Sequence, residues 1–241
     1  MLKAVYRFER DKLLRSSRLI VPLLVLFAYI GIAYAVAPLN IMSSFSICSI
    51  VLFILMLSIG MMEDHIGYAM IEQTILVRLR RKGLFYLGKA ALMAAVSLVF
   101  AALAVLAPVL IDLSRGGALF SRGIVVADVL SGFVLFALTG LCGGVTGLFA
   151  HHRIIANRKI AILVCIAFAL LTVIKGAMNA QVEMLKYVTW ILPPVHDLSV
   201  AYSKYEYFRF EATWSYFLWL AGYIGIEVLA YVAILRRRGV E

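Results

Sequence analysis

The fold is decided by the stretch LIVPLLVLFAYIGIAYAVAPLNIMSSFSICSIVLFILMLSIGMM, residues 19–62, which contains no Asp, Glu, Lys or Arg. Arg18 and Glu63 bracket these 44 residues. A helix that crosses a bilayer needs roughly 20 consecutive apolar residues. The stretch is therefore long enough for two membrane-spanning helices joined by a turn at Pro38-Leu39-Asn40, and it predicts an integral membrane protein.

The composition of the whole chain agrees with this prediction. Of the 241 residues, 64% are hydrophobic and 15% are charged, whereas a soluble globular chain is about half apolar and about a quarter charged. These values exclude a water-soluble domain, a disordered tail and a secreted disulfide scaffold. The net charge of +10 would indicate nucleic acid in a soluble protein, but here the basic residues flank the spans. We therefore expect no nucleic-acid partner.

Six hydrophobic runs predict six transmembrane helices. Because lipid offers no hydrogen-bond partners, each span must be helical. The chain carries no linker, low-complexity tract or internal repeat, so we expect one all-α transmembrane domain over residues 1–241. The predicted spans are Leu19–Ala37, Ile41–Met62, Ala90–Ile111, Ile124–Ala150, Ile160–Ala177 and Tyr216–Leu235.

Basic residues cluster on alternate connections between the spans. Residues 1–18 carry six of them, residues 63–89 carry five, and residues 151–159 and 236–238 carry three each, which together make 17 of the 23. Since Lys and Arg mark the cytoplasmic side, both termini are expected in the cytoplasm. The sequence Ala33-Tyr34-Ala35 resembles a signal-peptide cleavage site, but a second span follows at once, so we expect no cleavage.

Sequence patterns that could indicate a metal or nucleotide site are incomplete. The run Gly83–Lys89 fits G-x-x-x-x-G-K, but Ala90 stands where a hydroxyl must reach magnesium. His151 and His152 would point about 100° apart on a helix, so they are poor joint ligands. The three cysteines match no ligand spacing and are expected to be packing residues inside hydrophobic runs: Cys48, Cys142 and Cys165. We therefore expect no metal or cofactor bound by this chain.

The longest segment on the predicted cytoplasmic side is residues 63–89. Apolar residues recur in it at intervals of three to five residues, as in a helix lying along the membrane surface. One interpretation is a surface helix that only connects two spans. The residues of the apolar stripe are Ile66, Met70, Ile71, Ile75 and Leu79.

The same segment also carries an ordered series of polar and glycine residues. Paired acids follow the second span, then come a Gly, a Glu, a Leu, a basic cluster, and Leu-Gly-Lys at the start of the third span. These are Glu63, Asp64, Gly67, Glu72, Leu76, Arg80–Lys82 and Leu87-Gly88-Lys89. In this series, and in a layout of a basic N-terminal helix, six spans and a long outer segment before the last span, the chain resembles the ABC-2 type transporter permeases.

The resemblance implies the transmembrane subunit of a bacterial ABC exporter. Two permease copies, identical or homologous, would form the substrate path, and a separate ATPase subunit that binds ATP and Mg would dock on their cytoplasmic faces. Residues 1–18 would contain an amphipathic elbow helix, with Val5 and Tyr6 beside the lipid. The residues implied in coupling to the ATPase are Glu63, Asp64, Gly67, Glu72, Gln73, Arg78, Arg80, Arg81, His152 and Arg153.

Glu227 is an ionisable residue near the middle of the sixth predicted span. A carboxylate at the centre of a bilayer costs at least roughly 2.5–3.5 kcal/mol on insertion scales, so such residues face a partner helix or an aqueous path. Tyr223 and Tyr231 share its helix face, four residues away on either side. We expect either a translocation path at these three residues or a hydrogen-bonded packing role for Glu227.

The fourth predicted span contains one acid and several glycines. Asp128 lies close to its outer end, so a structural pair with Arg122 or Lys175 is expected. The glycines form two overlapping small-xxx-small spacings that allow close helix packing, and we expect that packing within one subunit: Gly140, Gly143, Gly144 and Gly147.

The outer segment, residues 178–213, is rich in aromatic side chains, which favour the lipid–water boundary. Two short helices separated by Pro193-Pro194 would match the re-entrant outer helices that the resemblance implies. In that interpretation Trp190, Pro193 and Pro194 form an outer gate. The alternative is a plain interfacial loop.

The leading hypothesis is therefore an exporter subunit in the bacterial plasma membrane, without catalytic residues of its own. The compact outer segment favours an amphipathic peptide, a lipid or a hydrophobic drug as substrate. One alternative is an intramembrane enzyme, although the sequence contains neither H-E-x-x-H nor G-x-S-x-G. Another is a membrane anchor or immunity protein that transports nothing.

Overall fold

The structure is a computed structural model that describes residues 2–63, 83–182, 184, 187 and 189–237, with side chains from Val5 onward. Within these residues it contains eight helices and no β-strand. Most of the residues implied in coupling lie outside the described part of the chain, namely Asp64, Gly67, Glu72, Gln73, Arg78, Arg80 and Arg81. Only Glu63, His152 and Arg153 of that set can be placed.

The helices follow the hydrophobic runs. Five of them, α3, α4, α5, α6 and α8, are long and apolar enough to cross a membrane, and a bent pair, α1 and α2, could supply a sixth span. The prediction of a helical, multi-pass membrane protein is confirmed at this level. The bounds are α1 Leu2–Arg15, α2 Ile20–Ala33, α3 Ile41–Met62, α4 Gly83–Ser114, α5 Val126–Leu148, α6 Arg158–Gln181, α7 Val195–Ser203 and α8 Phe210–Arg237.

The observed helix bounds match the predicted spans to different degrees. Helix α3 has the predicted bounds, and the Asn40 side chain accepts a hydrogen bond of 3.2 Å from the Ser43 backbone N–H at its start. The helix observed for the first span, α2, is shorter than predicted: it ends at Ala33, whereas the predicted span runs to Ala37. Its 14 residues correspond to about 21 Å, and it bends by 68° from the N-terminal helix.

Helices α3 and α5 form the centre of the bundle and run parallel to each other. Their backbones approach closely through glycines: a Cβ at Gly143 would collide with the Phe53 carbonyl oxygen, and one at Gly147 with the Leu57 carbonyl oxygen. The predicted close packing of the α5 glycines within one subunit is thereby confirmed. Helices α4 and α8 pack against α5, whereas α6 contacts α7 and α3 and leaves a gap beside α8.

The bundle has two distinct ends. At one, which we call the α1 end, α3, α5 and α8 finish, α4 and α6 begin, and α1 packs against α4. The opposite end, which carries α7, is called the α7 end. The expectation that Val5 lies beside lipid is wrong: its side chain is 7% exposed and lies against Gly88 of α4. A glycine at that point admits the α1 side chain, so α1 is partly buried in protein.

At the α7 end, Arg122 ties the start of α5 to the loop before α8. Its guanidinium donates to both carboxylate oxygens of Asp128, at 2.7 and 3.1 Å, and hydrogen bonding to Asp128 raises the pKa of Arg122. It also donates to the Glu206 carbonyl oxygen at 2.8 and 3.0 Å. The predicted structural role of Asp128 is confirmed, with Arg122 as its partner.

Candidate functional site

A cavity of about 580 Å³ opens between α6 and α8, with α5 as its floor. The walls are almost entirely apolar and aromatic. Two of the three residues of the predicted translocation path, Tyr223 and Glu227, line it, and so does Trp190 of the predicted outer gate. The remaining lining residues are Thr146, Phe149, Val164, Cys165, Phe168, Ile191, Leu218, Trp219, Gly222, Ile226 and Ala230.

Among the described residues that line this cavity, Glu227 is the only acidic one. It is 8% exposed. One carboxylate oxygen, Oε1, accepts a hydrogen bond of 2.9 Å from the Thr146 hydroxyl, and the other, Oε2, lies 3.8 Å from the Cys142 sulfur. Among the described residues, no Lys, Arg or His forms an ion pair with this carboxyl group. The acid therefore faces an apolar space with weak polar support from the protein.

Aromatic residues close the cavity toward the α7 end. The Tyr223 hydroxyl donates a hydrogen bond of 2.8 Å to the Ile191 carbonyl oxygen. The rings of Trp190 and Trp219 lie 5.9 Å apart and are tilted by 45°. Pro193 and Pro194 are buried beside this closure, and Pro194 precedes the first residue of α7. The two prolines thus support the closing segment without lining the cavity.

Tyr231, the third residue of the predicted path, lies elsewhere. It is 0% exposed and sits in an aromatic cluster at the α1 end. Its ring makes edge-to-face contacts with Tyr86 and Phe149, at centroid distances of 5.9 and 5.8 Å. The structure therefore brings Glu227 and Tyr223 together at the cavity and separates Tyr231 from them.

A second polar site lies at the α1 end, where α1, α3 and α4 meet. We call its four residues, Glu9, Lys12, Glu63 and Lys89, the charged junction. The Lys12 ammonium lies 2.9 Å from Glu9 Oε2 and 2.6 Å from Glu63 Oε1. All four side chains are buried, with Lys89 at 2% and Glu9 at 1% exposure. Two acids and two bases thus neutralise one another inside the protein.

Within the charged junction, opposing effects act on the pKa of Glu9. Burial raises the pKa of Glu9, and the neighbouring Glu63 carboxyl raises it further, while the positive charges of Lys89 and Lys12 act in the opposite direction. The net direction is upward. Glu9 therefore holds a proton to higher pH than an ordinary glutamate does.

The two remaining predicted coupling residues lie in the turn between α5 and α6. Arg153 donates a hydrogen bond of 2.9 Å to the Tyr86 hydroxyl. The rings of His151 and His152 stack at a centroid distance of 4.5 Å, so the expectation that they diverge is wrong, because they lie in a turn and not on a helix. Among the described residues, no cluster of His, Cys, Asp or Glu could hold a metal ion.

A smaller cavity of about 420 Å³ lies at the α7 end, beside α7. Lys175 reaches Asp197 there at 2.6 Å, so it is not the partner of Asp128. His196 and Lys175 lower the pKa of Asp197, against the effect of burial. Gly176 makes room for the His196 ring. This ion pair holds α7 onto the end of α6.

Several residues of these sites were not expected from the sequence. Thr146 and Cys142 are ordinary polar positions in a hydrophobic run, and nothing in that run marks them as partners of Glu227. Glu9 and Lys12 form an i, i+3 pair that is typical of a solvated helix face. The Glu9–Lys12 pair becomes part of a buried cluster only because α1 packs against α4 and the end of α3.

Chemically, the cavity can hold a hydrophobic molecule against aromatic walls and offer it one carboxyl group. The charged junction can hold three helix ends in fixed relation, because its four side chains are buried. No protein-family model, curated protein or solved structure matches this chain.

Proposed function

We propose that this chain is the transmembrane subunit of an ATP-driven exporter of the ABC-2 type. In this proposal two permease copies, identical or homologous, form the substrate path, and a separate subunit binds ATP and Mg and hydrolyses the nucleotide. The chain lies in a bacterial plasma membrane and crosses it six times, with α1 and α2 as an elbow helix and the first span. The α1 end is cytoplasmic, in keeping with the positive-inside rule.

The observation that carries the proposal is the position of the charged junction. Glu63 follows the last residue of α3, and Lys89 lies in the second turn of α4. These two residues bound segment 63–89, which carries the resemblance to ABC-2 permeases. Both are buried against α1. The two ends of the segment are therefore anchored to the same polar cluster.

This anchoring suits a segment that transmits force. Breaking a buried ion pair by removing or displacing one partner costs about 3–5 kcal/mol, so helices joined by such pairs move together. A partner that displaces segment 63–89 would therefore move α1, α3 and α4 as one unit. Rigid-body rocking of this kind is how closure of one subunit opens and closes a path in another. A segment that only connects two spans needs no such junction.

The decisive experiment is purification of the tagged full-length chain from the membranes of its own cells, with assay of co-purifying ATPase activity. We expect an ATPase to co-purify with the wild-type chain and to be lost when Glu72→Lys and Arg78→Glu are combined. The control is Arg115→Glu, a single charge reversal of the same kind as Arg78→Glu, at an exposed position of the α7 end, which should keep the ATPase. Absence of any ATPase from the wild-type preparation would overturn the proposal, as would its retention in the double variant.

The orientation has its own test. Green fluorescent protein fused after residue 241 should fluoresce, because it folds in the cytoplasm, whereas alkaline phosphatase fused there should be inactive. Alkaline phosphatase inserted after Gly116, in the turn at the α7 end, should be active. The reverse pattern would place the α1 end outside and remove the segment from the reach of an ATPase.

A further inference from the structure

The cavity between α6 and α8 combines two features that point to a class of ligand. Its walls offer aromatic surface, including Phe168, Trp190 and Trp219, and its floor offers the carboxyl group of Glu227. A volume of about 580 Å³ lies within the range of about 300–1,000 Å³ that is typical of small-molecule sites. A single charged anchor in an otherwise apolar pocket fixes the orientation of such a molecule.

The protein leaves the carboxyl group incompletely paired. Its Oε1 atom accepts a bond from Thr146, but the nearest donor to Oε2 is the Cys142 thiol at 3.8 Å, and a thiol is a weak donor. Within the described residues no basic side chain neutralises it. A buried acid is retained in a membrane protein when something pairs with it. A positive charge on a bound molecule would supply such a partner.

The wall helices of the cavity also carry exposed apolar side chains, which would face hydrocarbon in a bilayer. Residues of its walls on α6 and α8 present exposed side chains, with Val164 at 47%, Leu218 at 53% and Ile226 at 68%. All three belong to helices long and apolar enough to cross a membrane. A hydrophobic molecule dissolved in the bilayer could therefore enter sideways between the two helices, with no need for an aqueous route.

We propose that this cavity binds one hydrophobic molecule that carries a single ammonium group, with the ammonium on Glu227 and the apolar part against Trp190 and Trp219. Trp219 precedes Glu227 by eight positions on α8, or about 12 Å along the helix, which is the reach of a long alkyl chain. An anionic molecule would place a second acid beside Glu227, and a neutral one would offer the carboxyl group at most a hydrogen bond. The proposal that the cavity binds such a molecule does not depend on the proposed function. The further step, that the bound molecule is the substrate of an exporter, rests on the proposed function.

The test uses the tryptophans of the cavity as reporters. Bromine quenches tryptophan fluorescence on contact, so ω-bromoundecylamine should quench Trp190 and Trp219 when it binds, with its neutral analogue ω-bromoundecanol as comparison. Both are titrated into the full-length chain in lipid nanodiscs at neutral pH. Partition of either compound into lipid gives quenching that does not saturate with concentration. Binding at the cavity should add a saturable component of quenching for the amine and none for the alcohol.

Two pairs of variants locate the saturable component. Glu227→Gln should weaken it by about tenfold or more, as loss of a hydrogen bond to a charged group does, whereas Glu211→Gln, an exposed acid on the same helix, should not. Gly222 lines the cavity, and a Cβ there meets nothing within 4 Å, so the side chain of Gly222→Leu should occupy the cavity and also abolish the saturable component. Gly225→Leu, equally open but outside the cavity, should keep it.

Each outcome bears on the proposal. Equal saturable quenching by amine and alcohol, or unchanged amine binding in both Glu227→Gln and Gly222→Leu, would overturn it, as would the absence of a saturable component in the wild-type chain. Glu227-dependent binding without any co-purifying ATPase would support the binding site and overturn the exporter proposal. An ATPase that co-purifies with a chain that binds no amine would support the exporter and overturn this site.

Discussion

Lys12 of α1 lies 2.6 Å from Glu63 at the end of α3, and 51 positions of sequence separate the two. The same ammonium reaches Glu9 at 2.9 Å. A second link lies beside it, where the Arg18 guanidinium donates a bond of 2.6 Å to the Met62 carbonyl oxygen. Lys12 of α1 and Arg18 of the turn that follows it thus attach the N-terminal helix to the end of α3, so this helix does not lie free on a membrane surface.

Replacement of Lys12 should destabilise the protein. Lys12→Met keeps much of the side-chain volume but leaves two buried acids, Glu9 and Glu63, without their shared cation. Removal of one partner from a buried ion pair costs about 3–5 kcal/mol, so we expect a clearly lower midpoint of thermal unfolding in detergent.

The control for this change is Arg10→Met. Arg10 pairs with Asp11 on the surface, where both side chains are almost half exposed, at 47% and 45%. Exposed pairs contribute about 0–1 kcal/mol, so this variant should unfold near the wild-type midpoint. Equal midpoints for the two variants would show that the charged junction does not stabilise the helix ends.

Glu9 should make stability depend on pH. Because its pKa is raised above the ordinary value of 4.5, the folded protein holds a proton on Glu9 at pH values where the unfolded chain has released it. Stability from this group is therefore complete below about pH 4.5 and is lost as the pH rises through the folded pKa. The other charged groups facing it are Lys12, Glu63 and Lys89.

Glu9→Gln removes this titration and keeps a carbonyl oxygen that can accept from Lys12. We expect the midpoint of thermal unfolding to fall less steeply with rising pH in this variant than in the wild-type chain. Glu206→Gln, an exposed acid at the other end of the bundle, should reproduce the wild-type slope. An unchanged slope in Glu9→Gln would mean that Glu9 does not take up a proton on folding.

The spans could be predicted from the sequence because the solvent of a membrane helix is apolar over its whole length. Long uncharged runs therefore mark the helices, and α3 has the predicted bounds. The sequence does not show which apolar side chains of a helix pack against protein and which face lipid. Val5 looks like a lipid-facing residue on an amphipathic helix, yet Gly88 of α4 admits it into the core.

The candidate site was predictable only in part, for a similar reason. Glu227 is visible as a charge in an apolar run, and Tyr223 follows from the helical period of four residues. The donor to Glu227, Thr146, lies 81 positions earlier on α5, and only the packing of α8 against α5 brings the two together. Helical period alone also grouped Tyr231 with Glu227, although the aromatic cluster at the α1 end takes up that side chain.

Gly143 should not tolerate a side chain. A Cβ at this position would collide with the backbone oxygen of Phe53, which cannot move without shifting α3. Overpacking of this kind costs about 1–3 kcal/mol, so Gly143→Ala should lower the unfolding midpoint. In Gly225→Ala the new methyl meets nothing within 4 Å, and loss of a helical glycine should raise stability by about 0.5–1 kcal/mol. Equal responses of the two variants would contradict the close packing of α3 and α5.

Arg122 should resist even the change to lysine. Its planar guanidinium bonds both oxygens of Asp128 and also the Glu206 carbonyl oxygen, and an ammonium group lacks the fork that makes these contacts together. Loss of hydrogen bonds to a charged group costs about 1.5–3 kcal/mol each. Arg122→Lys should therefore lower the unfolding midpoint and speed trypsin cleavage in the loop before α8.

The matched control is Arg115→Lys at the same end of the bundle. Arg115 is exposed, and its guanidinium makes one long contact of 3.4 Å with the Ala35 carbonyl oxygen, so its change to lysine should alter neither the midpoint nor the cleavage rate. Wild-type cleavage and midpoint in Arg122→Lys would mean that the Asp128 pair does not hold the α7 end together.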